Sequence, residues 1–521
     1  MTGLAPMTAA ARRAGVWLAA GVLFVYLATA GGSLTSVDAV MTYEVTRSLV
    51  STGSTAFDRP GLNHHQGVDG RYYSPFGIGQ SLFNVPFYVA ARAADERLGL
   101  RVGRAETMEK AGVALGSTVA AAGAVWLVFL FAWRLSGNLD ASVATSLACA
   151  FGTLLWPYSK FGFNQPLTAW CLTAGVYAAW LGVRLNRRGL LAWSGVWLSC
   201  AFLTRHEMAL AAVLVAVWVA VESTGTPRRG AERLLWLAAP LGVALVFWIW
   251  YNNARFGHPF DTGNLGLADA LDDQNFTVGR STLVGMAGLL FSPGRALFLY
   301  VPLAVASALA LPTLARRDRS LAWLIGGLAV SFLVLYGSLR FWDGLRGYGP
   351  RYLVPLLPLL MAPLVVWLGT GRRRRAVLLV AGLSALVQLP GVLVDYSKVS
   401  IDHARAVGDY SRDAKIYNWR ESALVLDTHA ALVAIPQNAR NLVRGSRPAV
   451  AELPAEEADS SFAQRFSFSL DFWWLYLYYL SAVSAPVSIA LGIAPLVLAA
   501  VFFGGVLRLR RSAPGATASG T

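Results

Sequence analysis

Apolar residues recur along this chain in twelve long runs, near 14–33, 107–133, 140–157, 166–183, 189–204, 208–222, 233–251, 295–314, 321–339, 351–369, 376–394 and 484–507. Each approaches the ~20 residues that carry an α-helix across a bilayer. The pattern predicts an all-α polytopic membrane protein with about twelve transmembrane helices.

The polar positions between the runs order them. Arg12 and Arg13 precede the first run, and Arg134 ends the second. Arg184, Arg187 and Arg188 follow the fourth, Arg228, Arg229 and Arg233 the sixth, and Arg316, Arg317 and Arg319 the eighth. Arg372 to Arg375 follow the tenth, and Arg508, Arg510 and Arg511 the twelfth. All these clusters share one side if every run crosses, and the positive-inside rule makes that side cytoplasmic. Residues 12–30 also fit a signal peptide ending in Ala28-Thr29-Ala30, whose cleavage would leave eleven spans. Thr204-Arg205-His206-Glu207 separates the fifth and sixth runs. Charge at a helix centre is costly, so two helices are expected, with this tetrad at the outer surface.

The expected organisation is a membrane region over 1–394 with a first outer loop at 34–106, an outer loop region at 395–483, a last span at 484–511 and a disordered cytoplasmic tail at 512–521. The other outer loops are 158–165, 204–207, 252–294 and 340–350. In the first loop, Val37, Met41, Val45 and Leu49 recur every four residues, as on one helix face. Ser36 can cap this helix and Gly53 can end it. An amphipathic helix of this kind is expected to lie flat on the membrane surface, with Asp38 in its first turn. Pro75, Gly77 and Gly79 bend the chain before a second amphipathic helix, expected at about 79–93.

Composition supports lipid as the solvent. The chain is 55% hydrophobic and 14% charged, against about 25% charged in soluble domains. The net charge of +15 would suggest nucleic acid in a soluble protein. Here it falls in clusters between apolar runs, so it reads as topology, with no nucleic-acid partner. The basic residues are nearly all arginine, a bias that suggests a GC-rich bacterial genome and thus a bacterial inner membrane. Cys149, Cys171 and Cys200 all sit in apolar runs and read as small buried hydrophobes. His64 and His65 read as solvated loop residues. No glycine-rich nucleotide loop and no His/Cys metal spacing occurs. No cofactor is expected, although a carboxylate-bound divalent ion stays open.

Asp38 with Tyr43, Arg47-Ser48-Leu49 and Gly53 resembles the first-loop motif of bacterial lipid-carrier-dependent glycosyltransferases. These are GT-C superfamily relatives of protein O-mannosyltransferases and aminoarabinose transferases. Tyr73-Ser74-Pro75 to Pro86-Phe87-Tyr88 is similar to their next block. So are the stretch from Tyr251 through Arg255 to Gly263, the stretch Gly288 to Arg295, and Tyr348-Gly349-Pro350-Arg351 to Pro358. The blocks cover residues of about 35–360. The family commonly carries a second acid directly after the first. Ala39 stands in that slot here, and Glu44 is one helical turn away.

The resemblance implies a GT-C-like fold and an inverting glycosyltransferase acting outside the membrane. The donor would be a polyprenyl-phosphate-linked sugar, hexosyl or pentosyl. The acceptor would be a cell-envelope glycan, lipid or protein. Asp38 would be the general base, with Glu44 and Asp343 as further candidate acids. The departing phosphate needs planar, permanently charged donors. Arg295 and Arg351 are the first choices because each opens a membrane span, with Arg255, Arg346 and Tyr73 as further candidates. Trp156, Tyr158, Phe161, Trp250, Tyr251, Phe341 and Trp342 cluster at outer ends, where most are expected to be interface anchors. Phe341-Trp342-Asp343 partly echoes the Trp-Trp-Asp motif of oligosaccharyltransferases, whose large soluble domain is missing. The 395–483 loop matches nothing in the family and is expected to choose the acceptor. Alternative readings are a twelve-span transporter and a lipid-linked glycan polymerase or ligase.

Overall fold

The computed structural model describes residues 4–57, 65–98, 106–225, 227–263, 282–339, 341–344, 347–369, 371–408, 411–448 and 469–512. His64, Arg346 and all but the first residue of the expected tail fall outside these. Every one of the twelve apolar runs is helical. Eight helices are long and apolar enough to cross a membrane: Ala9–Ala28, Thr107–Ser136, Gln165–Leu185, Arg228–Phe256, Arg319–Gly337, Arg351–Leu368, Arg372–Leu393 and Ala485–Arg511. The other four runs are shorter or broken, as Leu139–Phe151 with Leu155–Tyr158, Arg188–Thr204, His206–Val221, and Leu297–Tyr300 with Leu303–Arg317. The protein is therefore a multi-pass helical membrane protein.

The contacts between run ends sort into two sets. At the arginine-rich end, Arg184 bonds Asp318 at 2.7 Å and Glu222 at 3.1 Å. Arg233 bonds Asn186 at 2.9 Å, Arg134 bonds the Ala5 carbonyl at 3.0 Å, and Arg510 bonds Asp140. At the opposite end, Arg351 approaches Asp38, Arg205 bonds Asn164, and Arg255 bonds the Ser74 carbonyl. This is the alternation that twelve crossings require. Helix Ala9–Ala28 packs along the last helix and against Thr107–Ser136.

The tetrad breaks the fifth and sixth runs as expected. The helix stops at Thr204, and Arg205 is extended at φ −142°, ψ 113°. It does not lie open at the surface, however. Arg205 is 10% exposed and ion-paired to Glu207. Burial is tolerable because each charge has a partner.

The first-loop helix spans Val37–Thr52, with Ser36 accepting from the Ala39 N–H and Gly53 left-handed at φ 70°. It does not rest its apolar stripe on lipid. Met41 and Val45 are buried with Phe57, and Val37, Leu49, Tyr72 and Phe76 pack around them. Its other side packs Ala39 and Tyr43 against Tyr88, Val113 and Ala114. The same loop supplies the cover, so the helix is sandwiched. The second helix runs longer than expected, Ile78–Leu98, and buries Gln80, Ser81 and Asn84. Several expected interface anchors are also interior: Tyr158, Phe161 and Trp342 are buried, while Trp250 is exposed. Cys200 is exposed on its helix, whereas Cys149 and Cys171 are buried.

The 395–483 region forms helices Tyr396–Val407, Arg412–Tyr417, Ala423–Arg444 and Trp473–Tyr479. A fully buried ion pair ties it to the membrane body. Lys160 Nζ lies 2.9 Å from Asp471 Oδ2, out of hydrogen-bond alignment, and both side chains are 0% exposed. Lys160 also donates to the Val392 carbonyl, and Tyr476 donates to Asp471 Oδ1 at 2.7 Å. Lys160→Met leaves a buried carboxylate uncompensated and should destabilise by about 3–5 kcal/mol. Adding Asp471→Leu should restore most of that loss. Thermal unfolding of the two variants in detergent checks this, and equal Tm values would contradict it.

Candidate functional site

Asp38 stands in the first turn of Val37–Thr52, where the macrodipole favours a carboxylate. The far end of this helix is anchored to the start of the second run. Arg47 reaches Glu106 at 2.5 Å, and the Tyr43 hydroxyl donates to Glu109 at 2.8 Å. Burial, with Glu106 and Glu109 beside it, raises the Tyr43 pKa. These bonds fix the helix from which Asp38 projects.

Asp38 Oδ2 faces Arg351 Nη1 at 3.6 Å, with the side chains 21% and 13% exposed. That separation is an ion pair and not a tight hydrogen bond. The Arg351 Nε–H is buried without an acceptor, as are the hydroxyls of Ser33 and Thr35 in the chain leading to Asp38. Gly344 and Gly347 both lie against the arginine. Gly344 is left-handed at φ 70°, and a Cβ there would meet Arg351 Cγ at 2.7 Å. A Cβ at Gly347 would meet the Tyr158 hydroxyl at 2.7 Å and Arg351 Cδ at 3.2 Å. Only bare backbone at these two positions leaves the Arg351 side chain its room.

Arg295 joins at Gly347, donating to its carbonyl at 2.9 Å and to the Gly294 carbonyl at 2.8 Å. The two arginines singled out in the sequence thus meet around one glycine. Tyr352 extends the cluster. Arg351 lies 5.3 Å and Arg205 5.5 Å from its ring centre, and Tyr336 stacks on it at 5.0 Å. Tyr336 donates to Glu207 at 3.2 Å.

Of the remaining candidates, Asp343 adjoins the cluster next to Gly344, and Glu44, Arg255 and Tyr73 sit elsewhere. Glu44 follows Asp38 by six residues, roughly 9 Å along and 240° around a helix, and lies 3.9 Å from Arg47. Asp343 is 2% exposed and bonded by Arg412 at 2.6 and 2.7 Å. Arg255 is buried, holding the Ser74 carbonyl at 2.8 Å and Asn252 at 2.9 Å over the Tyr251 ring. Tyr73 packs on Phe256 and donates to Asp69, and its hydroxyl pKa is pushed up to about 12 by burial and by that carboxylate. Arg255 and Tyr73 thus form a clasp on the first loop. Arg346 lies outside the described residues.

Asp427 was not singled out in the sequence. It is buried on Ala423–Arg444, its Oδ2 has no hydrogen-bond partner, and burial, with Asp395 nearby, raises its pKa. It lines a cavity of about 20 Å³ with Arg295, Gly347, Tyr396 and Lys415, room for about one water. Asp38 and Arg351 do not line it. Among the described residues no group of three His, Cys, Asp or Glu converges as a metal site.

No family model and no curated relative matches the chain. Among solved structures it is similar to ArnT from Cupriavidus metallidurans bound to undecaprenyl phosphate, at 17% identity and TM-score 0.45 over 92% of this chain and 77% of that one. The apo form of that ArnT gives 15% identity and TM-score 0.48, over 92% and 76%. The Archaeoglobus fulgidus oligosaccharyltransferase AglB, in complex with an inhibitory peptide and a dolichol-phosphate, gives 12% identity and TM-score 0.42, over 91% and 64%.

A raised pKa makes folding resist Asp427 ionisation. The cost is absent below the unfolded carboxyl value of about 3.9 and grows as pH rises above it. Asp427→Asn should therefore raise Tm on the order of 2–4 °C near neutral pH and leave it unchanged near pH 4. A Tm difference that is the same at both pH values would contradict this.

Proposed function

We propose that this protein is an integral-membrane glycosyltransferase that takes a sugar from a polyprenyl-phosphate donor and passes it to a hydroxyl of a cell-envelope acceptor. The observation that carries the reading is the Asp38–Arg351 pair: a carboxylate and a guanidinium 3.6 Å apart at a membrane-span end. Asp38 accepts the acceptor's O–H proton. The acceptor oxygen forms a bond to the anomeric carbon as the carbon–phosphate oxygen bond breaks, with inversion. The polyprenyl phosphate leaves with the electron pair, and Arg351 holds its developing charge.

Several features support these roles. The ion pair is loose enough for a phosphate oxygen to take the guanidinium and release the carboxylate. Arg351 Nε–H is an unmet donor, and charge-assisted donors of this kind suit phosphate. Arg295, one glycine away, adds a second positive charge. Arg351 opens the tenth run, so a lipid phosphate at its head keeps its chain in the bilayer. The arginine clusters at the opposite end point to the cytoplasmic side. This supports a reaction on the periplasmic or extracellular face of a bacterial inner membrane. The acceptor's approach would be shaped by the 395–483 helices, which reach the cluster through Arg412 to Asp343 and through Asp427.

Asp38→Asn should reduce transfer by about 10²–10⁴-fold while the protein stays folded, because asparagine keeps the side chain's size and an oxygen that can still accept from Arg351. Arg351→Lys keeps the charge but loses the fork, and should cost ~10²-fold or more. Transfer of labelled sugar from a polyprenyl-phosphate donor reads both, and an active Asn variant would sink the base assignment. The sugar is identified by mass spectrometry of a deletion strain, in which the lipid-linked form should accumulate.

A further inference from the structure

A cavity of about 290 Å³ lies at the other end of the molecule from Asp38. One wall is Leu139–Phe151, presenting Val143, Leu147 and Phe151, and the other is Arg372–Leu393, presenting Leu378, Ala381 and Ala385. Asp140, Arg374 and Arg510 stand at its mouth, at the arginine-rich end. From Asp140 to Phe151 and from Arg374 to Ala385 each wall runs eleven residues, roughly 16 Å at helical rise. That is about half the ~30 Å hydrocarbon core. The groove therefore runs from the arginine-rich surface through the depth of a single leaflet. It opens sideways, since Leu378 is 42% exposed.

Its chemistry selects the occupant. The volume equals roughly ten waters, but the apolar walls offer such waters no partners. At the mouth Asp140 bonds Arg510 and also feels Arg374, so two arginines share one carboxylate and a net positive charge remains. Arg374 belongs to the run Arg372 to Arg375, a cluster the reaction does not use. A basic mouth over an apolar slot one leaflet deep fits one acyl chain beneath an anionic headgroup.

We propose that this groove binds an anionic glycerophospholipid of the arginine-rich leaflet, its phosphate at Arg374 and Arg510 and one acyl chain between the third and eleventh runs. The site is separate from the proposed donor phosphate site at Arg351 and does not depend on that reading.

The test uses the full-length protein in lipid-free detergent, titrated with phosphatidylglycerol or phosphatidylcholine. Thermal unfolding reads stabilisation, and native mass spectrometry reads retained lipid. Phosphatidylglycerol should raise Tm and be retained, and phosphatidylcholine should bind markedly more weakly. Arg374→Gln should weaken phosphatidylglycerol about fivefold, the effect of one membrane-proximal arginine. Ala381→Phe should fill the slot and abolish the lipid-specific shift while lipid-free Tm stays near wild type. If Ala381→Phe fails to fold, Arg374→Gln alone decides. Equal binding of the two lipids, an Arg374→Gln variant that binds like wild type, or retention of polyprenyl phosphate in place of phospholipid would each overturn the proposal.

Discussion

Arg351 carries a permanent charge into a largely buried position, and much of the surrounding architecture serves to make that tolerable. A guanidinium away from water needs counter-charge and hydrogen-bond partners. Asp38 supplies the first from the end of the first run, and Tyr352 supplies an aromatic face. Gly344 and Gly347, which have no side chain, supply the space. The ends of the first and tenth runs and the break between the fifth and sixth runs converge on this point. The arginine's Nε–H remains unmet there, which suits a group that receives an anionic ligand.

Around this centre the molecule is closed by its latest segment. Lys160 and Asp471 tie the 395–483 region to the membrane body, and Arg412 and Asp427 reach towards the same cluster. That region is thus integral to the core, and removing it whole would take Arg412 from Asp343 and Asp471 from Lys160. Variants on its exposed positions are the way to ask what it selects.

The membrane architecture was legible because lipid demands long apolar runs and arginine clusters mark one side. Ser36 and Gly53 were legible because caps are local chemistry. The burial of the first-loop helix was not, because its cover comes from Phe57, Tyr72 and Phe76, beyond any helical period. Asp38, Arg295 and Arg351 were visible through family-like blocks and their placement at span ends. Arg205 and Glu207 were legible as a break between two helices but not as members of the cluster, since the sequence shows the charge and not the Tyr352 ring it meets. Asp427 and Asp471 lay in a segment without resemblance, and their partners are far away in the chain.

The proposed mechanism divides the labour: Arg351 would hold the phosphate and Asp38 would take the proton. Equilibrium binding of polyprenyl phosphate to purified wild-type, Asp38→Asn and Arg351→Gln proteins separates the two. The account predicts that Asp38→Asn binds at least as tightly as wild type, since its guanidinium is released, while Arg351→Gln binds at least tenfold more weakly. An Arg351→Gln protein that binds like wild type, or an Asp38→Asn protein that loses the lipid phosphate, would contradict it.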